Sequence, residues 1–418
     1  LEATPDEAVP RLRGLAGLVW LDTAGHRPES DSGGGISIIT AAPRAVLTGN
    51  LEQPAALESA LVSLCRTSPR QADYGFPLSG LFGSVDYDGS YTFGLYDEVL
   101  IYRHATGEWI ATGPRLPAAL STGSSALLSD ACSLAFAPEQ TPADYEAMVR
   151  RAHDYIRAGD IYQVNLAHRF SAPWPPKADP LALALQLRAA SPAPYAAYLN
   201  LGGRHLLSSS PESFLKISGS HIRTRPIKGT RPRYLDPEAD ERSAIELIRS
   251  DKERAELLMI TDLLRNDLGQ VCEYGSVRVT DLLKLETYEQ VFHLVSTIQG
   301  TLRPDISPVA ALRACSPGGS ITGAPKKRAT EIIAELEASP RGAYTGAIGY
   351  FGANGESQFS IAIRTITLQE NTATFQVGAG IVADSIPALE WQETLHKAAG
   401  ILSACQTRPV RPPARVPS

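Results

Sequence analysis

The sequence predicts an α+β protein, in which short strands joined by tight turns carry amphipathic helices among them. Two runs, Phe214-Leu215-Lys216-Ile217 and His221-Ile222-Arg223-Thr224-Arg225, flank Ser218-Gly219-Ser220, the small residues of a tight hairpin. Further on, Ala343 to Tyr350, Phe359 to Leu368 and Thr374 to Val377 follow one another as a meander of three strands. Helical stripes stand between such runs, with Tyr145, Met148, Val149, Ala152 and Ile156 as the clearest.

In chain order, residues 1–135 read as a β-rich N-terminal region. Trp20 to Asp22, Gly35 to Ile39, Ala45 to Leu47, Gly80 to Val85 and Tyr96 to Tyr102 are its strands, and Leu51 to Leu64 its helix. No internal period runs through it. Thr141-Pro142-Ala143-Asp144 then offers an N-cap, a first-position proline and an acid at the third position, for a helix that ends at Gly159. The strand Ile161 to Phe170 sets Tyr162, Val164, Leu166 and Phe170 on one face and Gln163 and Asn165 on the other. Two amides in mid-strand fit a polar cavity, and fit a satisfied core pair as well. A proline-rich loop, a helix from Pro180 to about Ala190 and strands Tyr195 to Leu199 and His205 to Ser208 lead to Ser210-Pro211-Glu212.

Pro226 cannot donate to a sheet ladder, so the strand before it should end there. Lys228 then sits at a strand exit, between Ile227 and Gly229. A lysine kept dry can lose its proton and act as a nucleophile; the alternative is a strand-end lysine reaching for water. Asp236 to about Leu268 is helical, with a break near Ser250-Asp251. Glu256 lies there in register with Ile260 and Leu263. A carboxylate on that stripe needs a partner or a cation, unless it stands on the exposed rim. Pro317 through Lys326 is a glycine-rich loop, and Pro325 opens a helix running to about Glu337, whose first N–H groups form an anion site. Ala324 after Gly323 excludes a Walker A loop. Alternation in Phe359 to Leu368 turns Arg364 away from the bulkier apolar row. In the last helix, Ile386 to Leu402, Glu393 and Lys397 read alone as a solvated i,i+4 salt bridge.

The net charge of −6 argues against a nucleic-acid binder. Five scattered cysteines without a CxxC pair give neither a disulfide framework nor a zinc site. No uncharged apolar run reaches the ~18 residues of a membrane helix, and the first residues carry no signal-peptide pattern. A cytoplasmic protein without nucleic-acid or membrane partners is the expectation. Residues 406–418, rich in proline and arginine, are expected to be disordered.

Several stretches together resemble the chorismate-utilising enzymes, most closely the aminodeoxychorismate synthase component I branch. They are Gly159 to Leu166, Ser210-Pro211-Glu212, Pro226-Ile227-Lys228-Gly229-Thr230, Asp262 to Asp267 and His293 to Thr297. Pro317 to Lys326, Arg364-Thr365, Gly378 to Ser385 and Gln392-Glu393-Thr394 complete the set. The resemblance covers about residues 140 to 402 and touches the N-terminal region loosely. It implies two antiparallel β-sheets packed face to face with helices outside, as in anthranilate synthase component I, and makes 136–405 a chorismate-binding catalytic region. It further implies Mg²⁺ held by Glu256 and Glu393, and a carboxylate clamp of Tyr344, Arg364, Lys397 and the Gly380 backbone. Ser320 would help hold the ring carboxylate or the metal's surroundings, and His293 would flank the ring; a structural core histidine is its alternative. Glu212 would be the acid and Lys228, followed by Gly229, the nucleophile that directs amination to C4. Gln163 stands where water-adding relatives carry a lysine. Ammonia would come from a glutamine amidotransferase subunit. The nearest rival is an anthranilate synthase large subunit; a non-catalytic chorismate-binding subunit or sensor is another.

Overall fold

The computed structural model describes residues 3–23, 35–67, 75–123, 133–288 and 291–406. The expected disorder beyond 406 lies outside them.

Two large antiparallel sheets form the body. The first runs, in spatial order, Gly323–Ala324, Gln163–Pro173, Thr372–Ile381, Thr365–Gln369, Arg204–Ser210, Tyr195–Leu201, Val19–Asp22, Ile36–Thr40, Leu100–Arg103 and Glu108–Ala111. The second runs Ile227–Pro232, Val291–Thr301, His221–Arg225, Ser213–Ser218, Glu356–Ile361, Ala347–Gly352, Gly80–Val85, Ser90–Tyr96 and Ala45–Asn50. Strands from the first 111 residues therefore extend both sheets, and the sheets run across the 1–135/136–405 division. Their facing sides share a core: Val19, Ile38, Leu199 and Leu206 of one meet Phe82, Ile348 and Tyr350 of the other. Helices cover the outer sides. Ala55–Thr67, Asp251–Gly269 and Pro308–Cys315 lie on the second sheet, Pro180–Ala190 and Pro387–Gln406 on the first.

Local chemistry explains the helix ends. Thr141 accepts from Asp144 N–H and the Asp144 carboxylate accepts from Thr141 N–H, closing a capping box on Pro142–Ala158; Gly159 stops it with φ +80°. The expected break after residue 249 is real: Ser250 ends Pro237–Arg249 and caps Asp251–Gly269 by accepting from Glu253 N–H.

Some expected elements differ. Tyr162 falls before the strand Gln163–Pro173 and is 74% exposed. Two runs read as single strands are each two strands in different sheets. Ser90–Tyr96 lies in the second sheet and Leu100–Arg103 in the first; Glu356–Ile361 lies in the second and Thr365–Gln369 in the first. Arg364 therefore stands at a crossover, with φ +50°, and on no strand face. The chain also returns to the ladder after Pro226. Ile227–Pro232 pairs with Val291–Thr301, so Lys228 lies inside a strand and not at the end of one.

Candidate active site

One end of each sheet, two helices and several loops enclose a cavity of about 500 Å³. Glu212, Lys228, Gly229, Glu256, His293, Ser320, Tyr344, Arg364, Gly380, Glu393 and Lys397 all line it. Gln163 sits behind Gly380: a Cβ placed on Gly380 would fall 2.3 Å from Gln163 Nε2 and 3.9 Å from Lys228 Nζ. The amide and the lysine nitrogen thus converge over one glycine, which leaves them room. Among the described residues Gln163 Oε1 and Asn165 Nδ2 are buried without hydrogen-bond partners; Asn165 lines the cavity and Gln163 does not.

Lys228 owes its position to a bulge. Its strand pairs Lys228 with Leu294, then slips before Thr230 pairs with His293. Gly229 takes up the slip at φ +72°, and a Cβ there would stand 2.7 Å from Leu247 Cδ1. The helix Pro237–Arg249 thus presses directly on the bulge. Thr230 Oγ1 and His293 Nδ1 are 3.0 Å apart. Burial, with the Arg364 charge, pushes the His293 pKa down to about 4, so the ring is neutral near pH 7.

Glu212 is buried between two strands. Its carbonyl accepts from Ile361 N–H at 3.1 Å, and its N–H reaches Ser210 Oγ at 3.3 Å. Ser320 Oγ donates to Glu212 Oε1 at 2.7 Å. Burial raises the Glu212 pKa, against the opposing pulls of the Ser320 bond and the Lys228 and Lys397 charges. The glycine loop therefore delivers a hydroxyl to this acid. The start of the helix Lys326–Leu336 does not line the cavity, and Lys326 Nζ is bound to Asp267 Oδ2 at 2.7 Å and the Cys315 carbonyl at 3.2 Å. The expected anion site at that helix start is not part of the cavity.

Arg364 is a cation without a carboxylate partner among the described residues, and burial alone lowers its pKa. A buried guanidinium left open in a cavity calls for an anion. Tyr344 lines the same cavity, its hydroxyl pushed up to about 12 by burial. Lys397 Nζ donates to the Gly378 carbonyl at 2.9 Å and meets Glu393 Oε1 at 2.8 Å. That i,i+4 pair opens onto the cavity and not onto bulk solvent alone.

Glu256 and Glu393 enter from different helices. Burial raises Glu256, with Lys228 opposing; burial also works against Glu393, yet Lys397 and its neighbours hold that carboxyl below the usual range. Among the described residues no group of three or more His, Cys, Asp or Glu converges as a metal cluster. Two carboxylates without soft ligands suit Mg²⁺, which keeps waters and takes substrate oxygens, and do not suit zinc.

The structure adds residues that sequence reasoning passed over. Lys252, Glu253, Gln376 and His396 also line the cavity, and Lys252 Nζ lies 3.8 Å from Glu390 Oε1. For Glu253 the signal was a repeat: Glu253-Arg254-Ala255-Glu256 and Glu390-Trp391-Gln392-Glu393 place acids three apart on both helices; Lys252, Gln376 and His396 carried none.

Fold and cavity together define a small-molecule site for an anion, with acidic, basic and carboxylate groups converging at the ends of two sheets. A family model described as chorismate binding enzyme matches residues 72–403, and the chain belongs to that family. It is 48% identical over 265 residues to anthranilate synthase component 1 of Streptomyces coelicolor, covering 63% of this chain and 52% of the relative. To the protein of that name from Bacillus caldotenax it is 43% identical over 296 residues, 71% of this chain and 57% of the relative. The chain spans about half the length of the curated relatives it matches. Anthranilate synthase component I from Streptococcus pneumoniae superposes with a TM-score of 0.77 at 30% identity, over 88% of this chain and 92% of that one. The menaquinone-specific isochorismate synthase from Escherichia coli gives a TM-score of 0.76 at 20% identity, over 97% and 92%, a likeness of fold. No helix among the described residues is long and apolar enough to cross a membrane.

Proposed function

We propose that the protein aminates chorismate at C4 with ammonia, giving 4-amino-4-deoxychorismate. The observation that carries this reading is Lys228, an amine held over Gly380 in a cavity whose other groups suit a dicarboxylate. Arg364, Tyr344 and Lys397 would take the enolpyruvyl carboxylate, while Glu256 and Glu393 would hold Mg²⁺ against the ring carboxylate. The ion, when bound, supplies charge neutralisation for that carboxylate.

Glu212, whose pKa burial raises, would donate its proton to the C4 hydroxyl so that it leaves as water. The neutral amine of Lys228 would form a bond to C2 as the C4–O bond breaks with allylic shift. Ammonia would then bond to C4 as the Lys228–C2 bond breaks, and the C4 ammonium would return a proton to Glu212. Two allylic displacements replace one direct exchange at C4, the usual gain of covalent catalysis.

Ammonia is proposed to come from a glutamine amidotransferase subunit. Burial pushes the Cys272 thiol up to about 11 and raises Cys315 as well, the reverse of an activated glutaminase nucleophile.

A second reading, anthranilate synthase component I, is favoured by the names of the relatives above. Incubating the protein with chorismate, Mg²⁺ and ammonium and identifying products by mass decides between them. The first reading expects 4-amino-4-deoxychorismate; anthranilate would establish the second.

A further inference from the structure

The turn that presents Tyr344 to the cavity is built on a buried guanidinium that no step of the proposed reaction uses. The Arg341 side chain is 1% exposed. Its Nε donates to Glu337 Oε2 at 2.9 Å, and its Nη2 to Glu337 Oε1 at 2.7 Å and to the Asn165 carbonyl at 2.8 Å. Nη1 donates to the Ile321 carbonyl at 2.9 Å and to Thr345 Oγ1 at 3.2 Å. All five N–H groups of the fork are satisfied. Glu337 is fixed in turn, accepting from Ala167 N–H at 2.9 Å.

The acceptors belong to separate elements. Asn165 is on a sheet strand, Ile321 follows the Ser320 that bonds Glu212, and Thr345 follows Tyr344 with φ +61°. Asn165, Ile321 and Tyr344 line the cavity. The Tyr87 and Tyr344 rings stand 4.6 Å and 5.7 Å from the guanidinium carbon. Tyr87 comes from the N-terminal part of the chain, and its buried hydroxyl has no hydrogen-bond partner among the described residues, so its ring face is what it contributes.

We infer that Arg341, backed by Glu337 and Tyr87, is a positioning residue for substrate. It fixes the mutual placement of Asn165, the Ser320 loop and Tyr344, and so sets the affinity of the cavity without touching the ligand. The inference rests on the chorismate reading of the cavity. A lysine keeps the charge but cannot reproduce a five-donor fork.

The full chain and its Arg341→Lys, Tyr87→Leu and Tyr87→Phe variants are compared for melting, for chorismate binding by calorimetry with Mg²⁺, and for KM and kcat. Arg341→Lys is expected to weaken binding and raise KM at least tenfold, with kcat changed far less. Tyr87→Leu should raise KM severalfold, and Tyr87→Phe should restore it. If Arg341→Lys does not fold, the two Tyr87 variants decide. Folded Arg341→Lys or Tyr87→Leu protein that binds chorismate as the wild type does overturns the inference alone. So does a Tyr87→Phe that behaves like Tyr87→Leu. A wild type that binds no chorismate overturns the reading of the cavity and the inference with it.

Discussion

Ser320 donates to Glu212, and that bond fixes the sign of a pH effect. In the proposed reaction Glu212 acts in its protonated form. Burial raises its pKa and the Ser320 bond pulls it back. Ser320→Ala removes the downward pull, so Glu212 keeps its proton to higher pH. The alkaline limb of the kcat/KM profile is expected to move upward in pH; an unmoved or lowered limb would contradict the role given to Glu212. At this scale much was legible in the sequence. Gln163 and Asn165 fitted a polar cavity and a satisfied core pair equally, and it is the structure that puts Asn165 on the cavity wall and Gln163 behind it. Glu256 stood out because a carboxylate on an apolar stripe is costly. Arg364 was legible as a residue but not as a geometry, since its φ of +50° carries no sequence signature of glycine or asparagine.

Elements were legible where caps mark them and obscure where the chain changes sheets. Thr141, Gly159 and Ser250 end helices by hydrogen bonds or backbone conformations that their residue types favour. Asp97 to Val99 and Ala362 to Arg364 pass from the second sheet to the first without a proline or glycine, so each run read as one strand. Pro226 misled in the other direction. It interrupts the pairing only over Arg225 and Pro226, because the strand resumes along the same partner, Val291–Thr301. A separate cluster ties the N-terminal strands to the helix Pro180–Ala190. Asp22 accepts from Ser37 Oγ at 2.5 Å and Arg188 Nε at 2.6 Å, with His104 Nε2 at 3.4 Å. Burial would raise its pKa, but these partners hold it down to about 2 from 3.8. A depressed carboxylate stabilises the fold above its unfolded pKa and loses that contribution as pH falls through its folded one. The difference of about 2 kcal/mol should therefore vanish between about pH 4 and pH 2. Asp22→Asn is expected to cost about 2 kcal/mol near neutrality and to flatten denaturant-measured stability across that window.

For the whole molecule, the shared sheets make a prediction about division. Tyr195–Leu201 pairs with Val19–Asp22, and Ala347–Gly352 with Gly80–Val85. Deleting residues 1–135 would leave both central strands as long apolar edges, which invite aggregation. The fragment beginning at residue 136 is expected to lack a cooperative melt and to elute as aggregates on size exclusion. A monomeric fragment melting near the intact chain would contradict it. The resemblance made the two-sheet body readable over about residues 140 to 402. It could not show the N-terminal completion of both sheets, because strand pairing across the chain leaves no local pattern.

The proposed chemistry at C4 depends on Lys228, and the most direct measurement is product formation by Lys228→Ala with chorismate, Mg²⁺ and ammonium, read by mass beside the wild type. The account predicts 4-amino-4-deoxychorismate from the wild type and a loss of at least a thousandfold in the variant, ~4 kcal/mol of transition-state stabilisation. A folded variant that still forms 4-amino-4-deoxychorismate at the wild-type rate would contradict it.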